Sequence, residues 1–204
     1  MIYIRKEQTM PKQRITKEMV VDAAFEIARR NGMDQVLVKN IADRIGCSVQ
    51  PIYSYCKNME GLRQEVIART GSFIQHFIAT HLNKNDLFQS TGQAYIQLAE
   101  EEPHLFKIFI LRQREGITSL EELYQAEAGE HIAEFIANQL QISVREARQL
   151  HLHMLIYTIG IGTIFAVTSP GIAPKEIFSQ QENAYKAFLS QSLARDKKRE
   201  ESEL

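Results

Sequence analysis

Cysteine and tryptophan are scarce in this sequence, whose 204 residues contain two cysteines and no tryptophan. Cys47 and Cys56 lie nine positions apart, without a CxxC pair or a Cys/His spacing typical of zinc ligands. This argues against a disulfide-stabilised domain and against a metal site. The GxSxG, P-loop and HExxH motifs and a complete GxGxxG are also absent, so we expect neither a catalytic site nor a cofactor.

Long hydrophobic runs are lacking too. The longest, Met154–Val167, is shorter than a helix that crosses a bilayer and is interrupted by Thr158 and Gly160. The apolar start of the chain lasts only four residues before Arg5 and Lys6, which is too short for a signal peptide. These features predict a soluble, cytoplasmic protein.

The composition is that of a globular protein, with 44% apolar and 24% charged residues. A formal net charge of −1 conceals an asymmetry along the chain. Residues 1–60 carry ten basic and seven acidic side chains, whereas the remainder carries 14 basic and 18 acidic ones. A basic first third on an acidic body suggests that only the first third meets an anion such as DNA.

Helical periodicity runs through almost the whole sequence, because apolar residues recur at helical spacing and the five prolines and ten glycines fall between such segments. No strand-like alternation persists. The sequence therefore predicts an all-α protein of about nine helices. They are placed at 16–30, 38–45, 49–56, 59–81, from 86, from 103, from 119, 143–168 and 174–194.

Two of the short predicted helices, joined at Gly46, form a helix-turn-helix pattern from about Leu37 to Cys56. Glycine permits the tight turn, and the small Ala42 lets the second helix cross the first closely. Ile52 and the ring of Tyr53 are expected to close against the first helix. By periodicity alone, the same pattern is also consistent with ordinary helical packing.

The second helix of the pair offers side chains suited to a DNA major groove. Glutamine can hold adenine through two hydrogen bonds, and apolar atoms such as those of Val49 can contact a thymine methyl group. Hydroxyl groups and lysines can bind phosphate. Gln50, Ser54 and Lys57 are residues of these types.

The segment has a more specific likeness, carried by residues spread over positions 14–62. They are Ala23-Ala24-Phe25, Gly32, Ile41-Ala42, Gly46, Ser48-Val49-Gln50-Pro51-Ile52-Tyr53, Lys57-Asn58 and Leu62. In these residues the segment resembles the DNA-binding domain of the TetR (tetracycline-repressor-like) family of transcriptional regulators. The resemblance implies a three-helix DNA-binding head on an all-helical body that binds a ligand and dimerises.

The resemblance also implies a role for individual residues. Lys39 would contact phosphate or guanine, Gln50 and Pro51 would read bases, and Tyr53 would pack in the head while its hydroxyl reaches a phosphate. The predicted DNA-binding residues are Lys39, Ser48, Val49, Gln50, Pro51, Tyr53, Ser54, Tyr55 and Lys57. The segment departs from the family at Val36-Leu37, where a hydroxyl residue is usual before the second helix.

Taken with this resemblance, the sequence predicts four parts. They are a flexible N-terminal arm at 1–13, a helix-turn-helix DNA-binding domain at 14–62, a ligand-binding and dimerisation domain at 63–194, and a charged tail at 195–204. Capping boxes of the form S-x-x-E are expected at Ser119–Glu122 and Ser143–Glu146. Either Met1 or Met10 can be the natural start, because the residues from Met10 onward resemble the beginning of such a regulator.

Aromatic side chains of the body are the candidates for a ligand pocket, because apolar pockets form between the helices of bundles. The predicted pocket residues are Phe73, Phe77, Tyr95, Phe106, Phe109, Tyr124 and Tyr157. The last two helices are the expected dimer interface, with Gly160 and Gly162 allowing close approach. The predicted interface residues are Ile156, Ile159, Thr163, Ile177, Ala184, Ala187 and Phe188.

The sequence therefore predicts a ligand-responsive transcriptional regulator. The expected action is repression: a homodimer binds a palindromic double-stranded operator and is released by a small molecule. A transcriptional activator, or a helical scaffold that binds a protein partner, are the alternatives.

Overall fold

The computed structural model describes residues 15–55, 58–83, 86–129, 131–168 and 171–202. Within these residues all regular structure is helical. The chain divides into two compact units, of which the first ends at Val66 and the second begins at Ile67. The sequence placed this boundary between residues 62 and 63. The predicted arm, together with Cys56 and Lys57, lies outside the described residues.

The first unit is a small three-helix head. Its elements are α1 (Lys17–Asn31), a 3₁₀ turn (Met33–Gln35), α2 (Val38–Ile45), α3 (Val49–Tyr55) and the beginning of α4 (Met59–His81). The side chain of Thr16 accepts a hydrogen bond from the Met19 N–H and caps α1, while Asn58 accepts from the Gly61 N–H at 2.7 Å and caps α4. Its buried core includes Val20, Ala24, Ala28, Val36, Ile41, Ile52, Leu62 and Val66.

The second unit is a bundle built around one long central helix. It comprises the rest of α4 and α5 (Leu87–Glu101), α6 (Pro103–Phe109), α7 (Leu120–Glu127), α8 (Ile132–Leu140), α9 (Val144–Thr168) and α10 (Pro174–Glu200). The central helix α9 packs against α5, α6, α8 and α10. Gly162 of α9 allows a close approach, because a Cβ atom there would lie 2.4 Å from the ring of Phe106 on α6.

The described residues thus form ten α-helices where the sequence predicted about nine. The additional helix is α8, whose Ile136 and Ala137 are buried against α9. Among the helices that the structure describes, α9 is the one long and apolar enough to cross a membrane, since it continues over 25 residues, beyond the apolar run seen in the sequence. Its packing against four other helices is that of the central helix of a bundle.

The two expected capping boxes differ. The first forms as predicted, with Ser119 and Glu122 each accepting from the other's backbone N–H. In the second, Ser143 still accepts from the Glu146 N–H, but its own N–H and hydroxyl both donate to Asp196, each at 2.6 Å. The Glu146 carboxyl is instead buried, and its Oε2 atom has no hydrogen-bond partner among the described residues.

The same contact explains why the predicted charged tail is helical as far as Glu200. Asp196 anchors the segment to the beginning of α9, and Ser192, one turn earlier, is 3% exposed. The basic residues Lys197, Lys198 and Arg199 occupy the last turn of α10, where positive charge compensates the helix dipole.

Candidate nucleic-acid interface and effector cavity

The turn of the helix-turn-helix is set by Gly46. Its backbone is left-handed, with φ 77° and ψ 37°, and the N–H groups of Gly46 and Cys47 both donate to the carbonyl oxygen of Ala42, at 2.9 and 3.0 Å. Glycine adopts this conformation readily, because it has no Cβ atom to clash with the backbone. Ile52 on α3 is fully buried, and α3 packs against both α1 and α2. The turn and this one buried side chain therefore orient α3.

The remaining surface of α3 is open. Val49 is 44%, Tyr53 63% and Tyr55 37% exposed, and Pro51 is half-buried. Together with the residue before the helix, the exposed set is Ser48, Val49, Gln50, Tyr53, Ser54 and Tyr55. We call this set the α3 face. It contains six of the predicted DNA-binding residues, whereas Lys57 lies outside the described residues.

The expectation that the ring of Tyr53 packs in the head is wrong. Adjacent helical residues point about 100° apart, and here Ile52 points inward while the side chain of Tyr53 is 63% exposed. Its side chain, ring and hydroxyl together, is therefore available for contact with a partner.

Lys39 lies on α2 and is exposed. The other basic residue of that helix, Arg44, pairs with Glu26 of α1 at 3.7 Å, and Glu26 also receives Arg29 and Arg30. Lys39 makes no ion pair with any residue that the structure describes. Its ammonium group is therefore the available positive charge of α2.

The second unit contains a cavity of about 420 Å³ between α5, α6, the end of α7, α8, α9 and α10. Its wall is mostly aliphatic and aromatic. The described lining residues are Leu82, Leu87, Phe88, Gln89, Thr91, Gly92, Tyr95, Phe106, Ile110, Glu127, Ala128, Gly129, Ile132, Phe135, His151, Met154, Leu155, Thr158, Ile159, Gln181 and Tyr185. Phe135 is 42% exposed, so the cavity reaches the surface beside its ring.

Gln181 contributes a buried amide to the wall. It is 2% exposed, and its Nε2 atom donates to the hydroxyl of Thr158 at 3.3 Å. Gly92 leaves room for this amide, because a Cβ atom there would lie 2.4 Å from Nε2. The Oε1 atom of Gln181 has no partner among the described residues.

His151 borders the cavity as a neutral ring. Burial lowers its pKa from 6.5 to about 4, because the charged imidazolium is poorly solvated there. The Tyr124 hydroxyl lies 3.1 Å from Nδ1, and burial raises the pKa of that phenol. The neutral phenol and the neutral ring therefore share a hydrogen bond at Nδ1.

Glu127 brings a carboxylate to the wall, but two guanidinium groups neutralise it. Nε of Arg114 lies 2.5 Å from Oε1, and Nη2 of Arg112 lies 3.6 Å from the same atom. Arg114 also donates to the carbonyl oxygens of Ile110 and Arg112, so the guanidinium is held in place. Neither arginine lines the cavity.

Two of the predicted pocket residues, Tyr95 and Phe106, line the cavity and five do not. Phe77 is buried in the core between α4, α5, α6, α9 and α10, where Phe73 and Phe109 pack against it, and Tyr124 lies behind His151. Tyr157 is half-buried outside the lining. Sequence reasoning missed Gln181 and Glu127, although a polar residue on the inward face of an amphipathic helix is a signal for such sites.

The predicted interface residues separate into inward and outward groups. Ile177 is 8% exposed in the core and Ile159 lines the cavity, so both face into the subunit. Thr163, Ala184 and Phe188 are half-buried, and Ala187 and Ile156 are exposed.

Ile156 belongs to an apolar stripe along α9 that the sequence identified only in part. The α9 stripe consists of Ile156, Gly160, Ile164 and Val167, of which the three larger side chains are 47%, 46% and 57% exposed.

Among the described residues, no three histidine, cysteine, aspartate or glutamate side chains come together as a metal site.

Solved structures resemble the chain over most of its length. A TetR-family transcriptional regulator from Haemophilus influenzae superposes with a TM-score of 0.53 over 84% of this chain and 94% of its own, at 17% identity. The chain has the TetR-family fold. A transcriptional regulator from Rhodococcus sp. Rha1 superposes equally well, with a TM-score of 0.53 over 88% of this chain and 97% of its own, at 13% identity. The resemblance predicted from the helix-turn-helix residues is thereby confirmed at the level of the fold.

Comparison by sequence adds one relative. The uncharacterized HTH-type transcriptional regulator YobS of Bacillus subtilis (strain 168) is 26% identical over 113 residues, which cover 54% of this chain. The chain spans 59% of the length of that relative. No family model matches the sequence.

Proposed function

We propose that this chain is a homodimeric transcriptional repressor of the TetR type, which binds a palindromic operator through the α3 face and is released when a small molecule occupies the cavity. The observation that carries the proposal is α3 itself: a short helix held by Gly46 and Ile52, with its remaining surface exposed. Since the target is DNA, the proposal includes a cytoplasmic location.

The proposed contacts with bases and with phosphates follow from the chemistry of the exposed groups. Gln50 can form two hydrogen bonds with an adenine in the major groove, and Val49 can contact a thymine methyl group. Lys39 and the hydroxyl group of Tyr53 would bind phosphates, which positions the head without reading sequence.

Two substitutions distinguish these roles. Gln50→Ala should cost about 1–3 kcal/mol at the preferred operator and relax the sequence preference there. Lys39→Ala should weaken binding to all sequences alike and lower the salt slope by about one per subunit. Selection from random DNA, followed by fluorescence anisotropy at several salt concentrations, measures both effects.

The matched controls are Gln139→Ala and Lys175→Ala, two exposed residues of the second unit that remove the same groups. Both controls should bind DNA as the unaltered chain does. If Gln50→Ala and Lys39→Ala also behave like the controls, the α3 face is not the DNA-binding surface. A chain that binds a protein partner and no DNA would support the scaffold alternative.

The proposed dimer forms through α9 and α10. The α9 stripe lies on a helix that the family resemblance assigns to the two-fold interface, and Gly160 leaves space for a helix of the second subunit, since nothing lies within 4 Å of a Cβ atom placed there. Ala187 presents a small side chain on α10. Self-complementary surfaces of this kind suit a two-fold dimer, which would present two heads to half-sites about 34–36 Å apart.

Ile164→Glu tests this interface, because it places a carboxylate in the centre of the proposed contact. We expect monomers in sedimentation velocity at concentrations where the unaltered chain is dimeric. Leu120→Glu is the matched control, since Leu120 is 58% exposed on α7, a helix that contributes no residue to the stripe. A dimer that survives Ile164→Glu, or an unaltered chain that is monomeric, contradicts the proposed assembly.

A further inference from the structure

The charged groups around the cavity point to the chemical class of the molecule that fills it. Glu127 is the one charged residue among the described lining residues, apart from which the wall offers aromatic and aliphatic side chains and neutral hydrogen-bonding groups. Gln181, Thr158 and Tyr95 are such neutral groups. Among the residues that the structure describes, a charged ligand would therefore find its counter-charge only at Glu127 or at the guanidinium groups that hold it.

Glu127 and the two guanidinium groups already form ion pairs with one another. Nε of Arg114 contacts Oε1 of Glu127 at 2.5 Å, and the two other nitrogens of Arg114 donate to main-chain carbonyl oxygens at 2.8 and 3.1 Å. Arg112 adds a second positive charge at 3.6 Å and itself donates to the carbonyl oxygen of Phe109. A cation entering the cavity would meet a carboxylate that is already paired with two guanidinium groups, and an anion would meet guanidinium groups that lie outside the lining.

We propose that the effector is an uncharged, mostly apolar molecule and that Arg114 sets this preference by neutralising Glu127. The inference rests on the effector-binding role proposed above and names the class of molecule that the role requires. An ion placed in this cavity would lose its hydration without gaining a free counter-charge. The free energy of this desolvation exceeds the free energy gained from the apolar contacts. An alcohol or amide of the same shape keeps those contacts and can bond the neutral polar groups of the wall.

Three probes that share one apolar scaffold separate the classes: biphenyl-4-methanol, 4-(aminomethyl)biphenyl as the cation and biphenyl-4-carboxylate as the anion. Isothermal titration calorimetry of the full chain at pH 7.5, without DNA, measures their dissociation constants. We expect the alcohol to bind about tenfold or more tightly than either ion. Equal or tighter binding of one ion overturns the proposal, as does the failure of all three probes to bind.

Changes to the ion pair should reorder the three affinities. Arg114→Met leaves the carboxylate of Glu127 with the more distant Arg112, so the amine should gain about tenfold relative to the alcohol. Glu127→Gln leaves the guanidinium of Arg114 without its carboxylate, so the carboxylate probe should gain instead. The double variant leaves only the more distant Arg112, so the amine should lose its gain and the carboxylate probe should gain less than in Glu127→Gln, which keeps the test decisive if one single variant folds poorly.

Arg148→Met is the matched control. Arg148 forms an ion pair with Glu121 of α7, and neither residue lines the cavity, so the order of the probes should stay that of the unaltered chain. An unchanged order in both Arg114→Met and Glu127→Gln contradicts the assigned role of the pair. Operator binding is measured separately: loss of DNA binding would refute the regulator proposal and leave these affinities as they are.

Discussion

Replacing His151 with asparagine should make the stability of the protein less dependent on pH. Burial holds the pKa of this histidine at about 4 in the folded chain, compared with 6.5 in an exposed histidine. Between these two values the unfolded chain takes up a proton that the folded chain does not. Stability is therefore lost as the pH falls below 6.5, and the loss is complete near pH 4.

The size of the effect follows from the same interval. One pH unit corresponds to about 1.4 kcal/mol, so His151 should remove about 2 kcal/mol of unfolding free energy between pH 7 and pH 5. Asparagine has no such titration, and its amide can form a hydrogen bond with the Tyr124 hydroxyl. The pH 7 to pH 5 loss should thus be about 2 kcal/mol smaller in His151→Asn than in the unaltered chain.

Urea unfolding at the two pH values, followed by circular dichroism at one fixed protein concentration, measures the difference. Fixed concentration is needed because a dimer gains stability by mass action. His131→Asn is the control, since the His131 side chain is 78% exposed, and it should keep the pH dependence of the unaltered chain. If the free energy of unfolding falls equally with pH in His151→Asn and in the unaltered chain, burial does not keep His151 neutral.

Two glycine substitutions test the local geometry. Gly46→Ala meets no neighbouring atom but strains a backbone with φ 77°, so it should cost about 1 kcal/mol in urea unfolding; an unchanged midpoint would contradict the left-handed turn. Gly162→Ala places a methyl group 2.4 Å from the ring of Phe106, so it should cost about 1–3 kcal/mol. The double variant with Phe106→Leu should lose less stability than the sum of the single changes, and strict additivity would argue against this contact.

Much of the fold could be predicted because its signals are local. The glycine at position 46 and the apolar spacing of α2 and α3 predicted the helix-turn-helix, and Ser119 and Glu122 predicted a capping box that the structure contains. These features depend on neighbours within a few residues, so the sequence alone determines them. Tyr53 shows the limit even there, since it follows the buried Ile52 directly and yet its side chain is 63% exposed.

The polar groups of the cavity wall and the end of the last helix could not be predicted, because they depend on contacts with residues distant in the chain. Glu127 is an ordinary acidic residue until α7 places it beside Arg114, and Gln181 becomes a cavity group only because Gly92 lies opposite it. The helical tail likewise depends on Asp196 reaching Ser143, 53 positions earlier. Amphipathic periodicity and the glycine at position 46 determined most of the helical segments and the position of the turn, whereas α8 and the helical tail were not predicted. Tertiary packing decided which polar groups face one another, because burial and ion pairing depend on distances in space and not on spacing in the sequence.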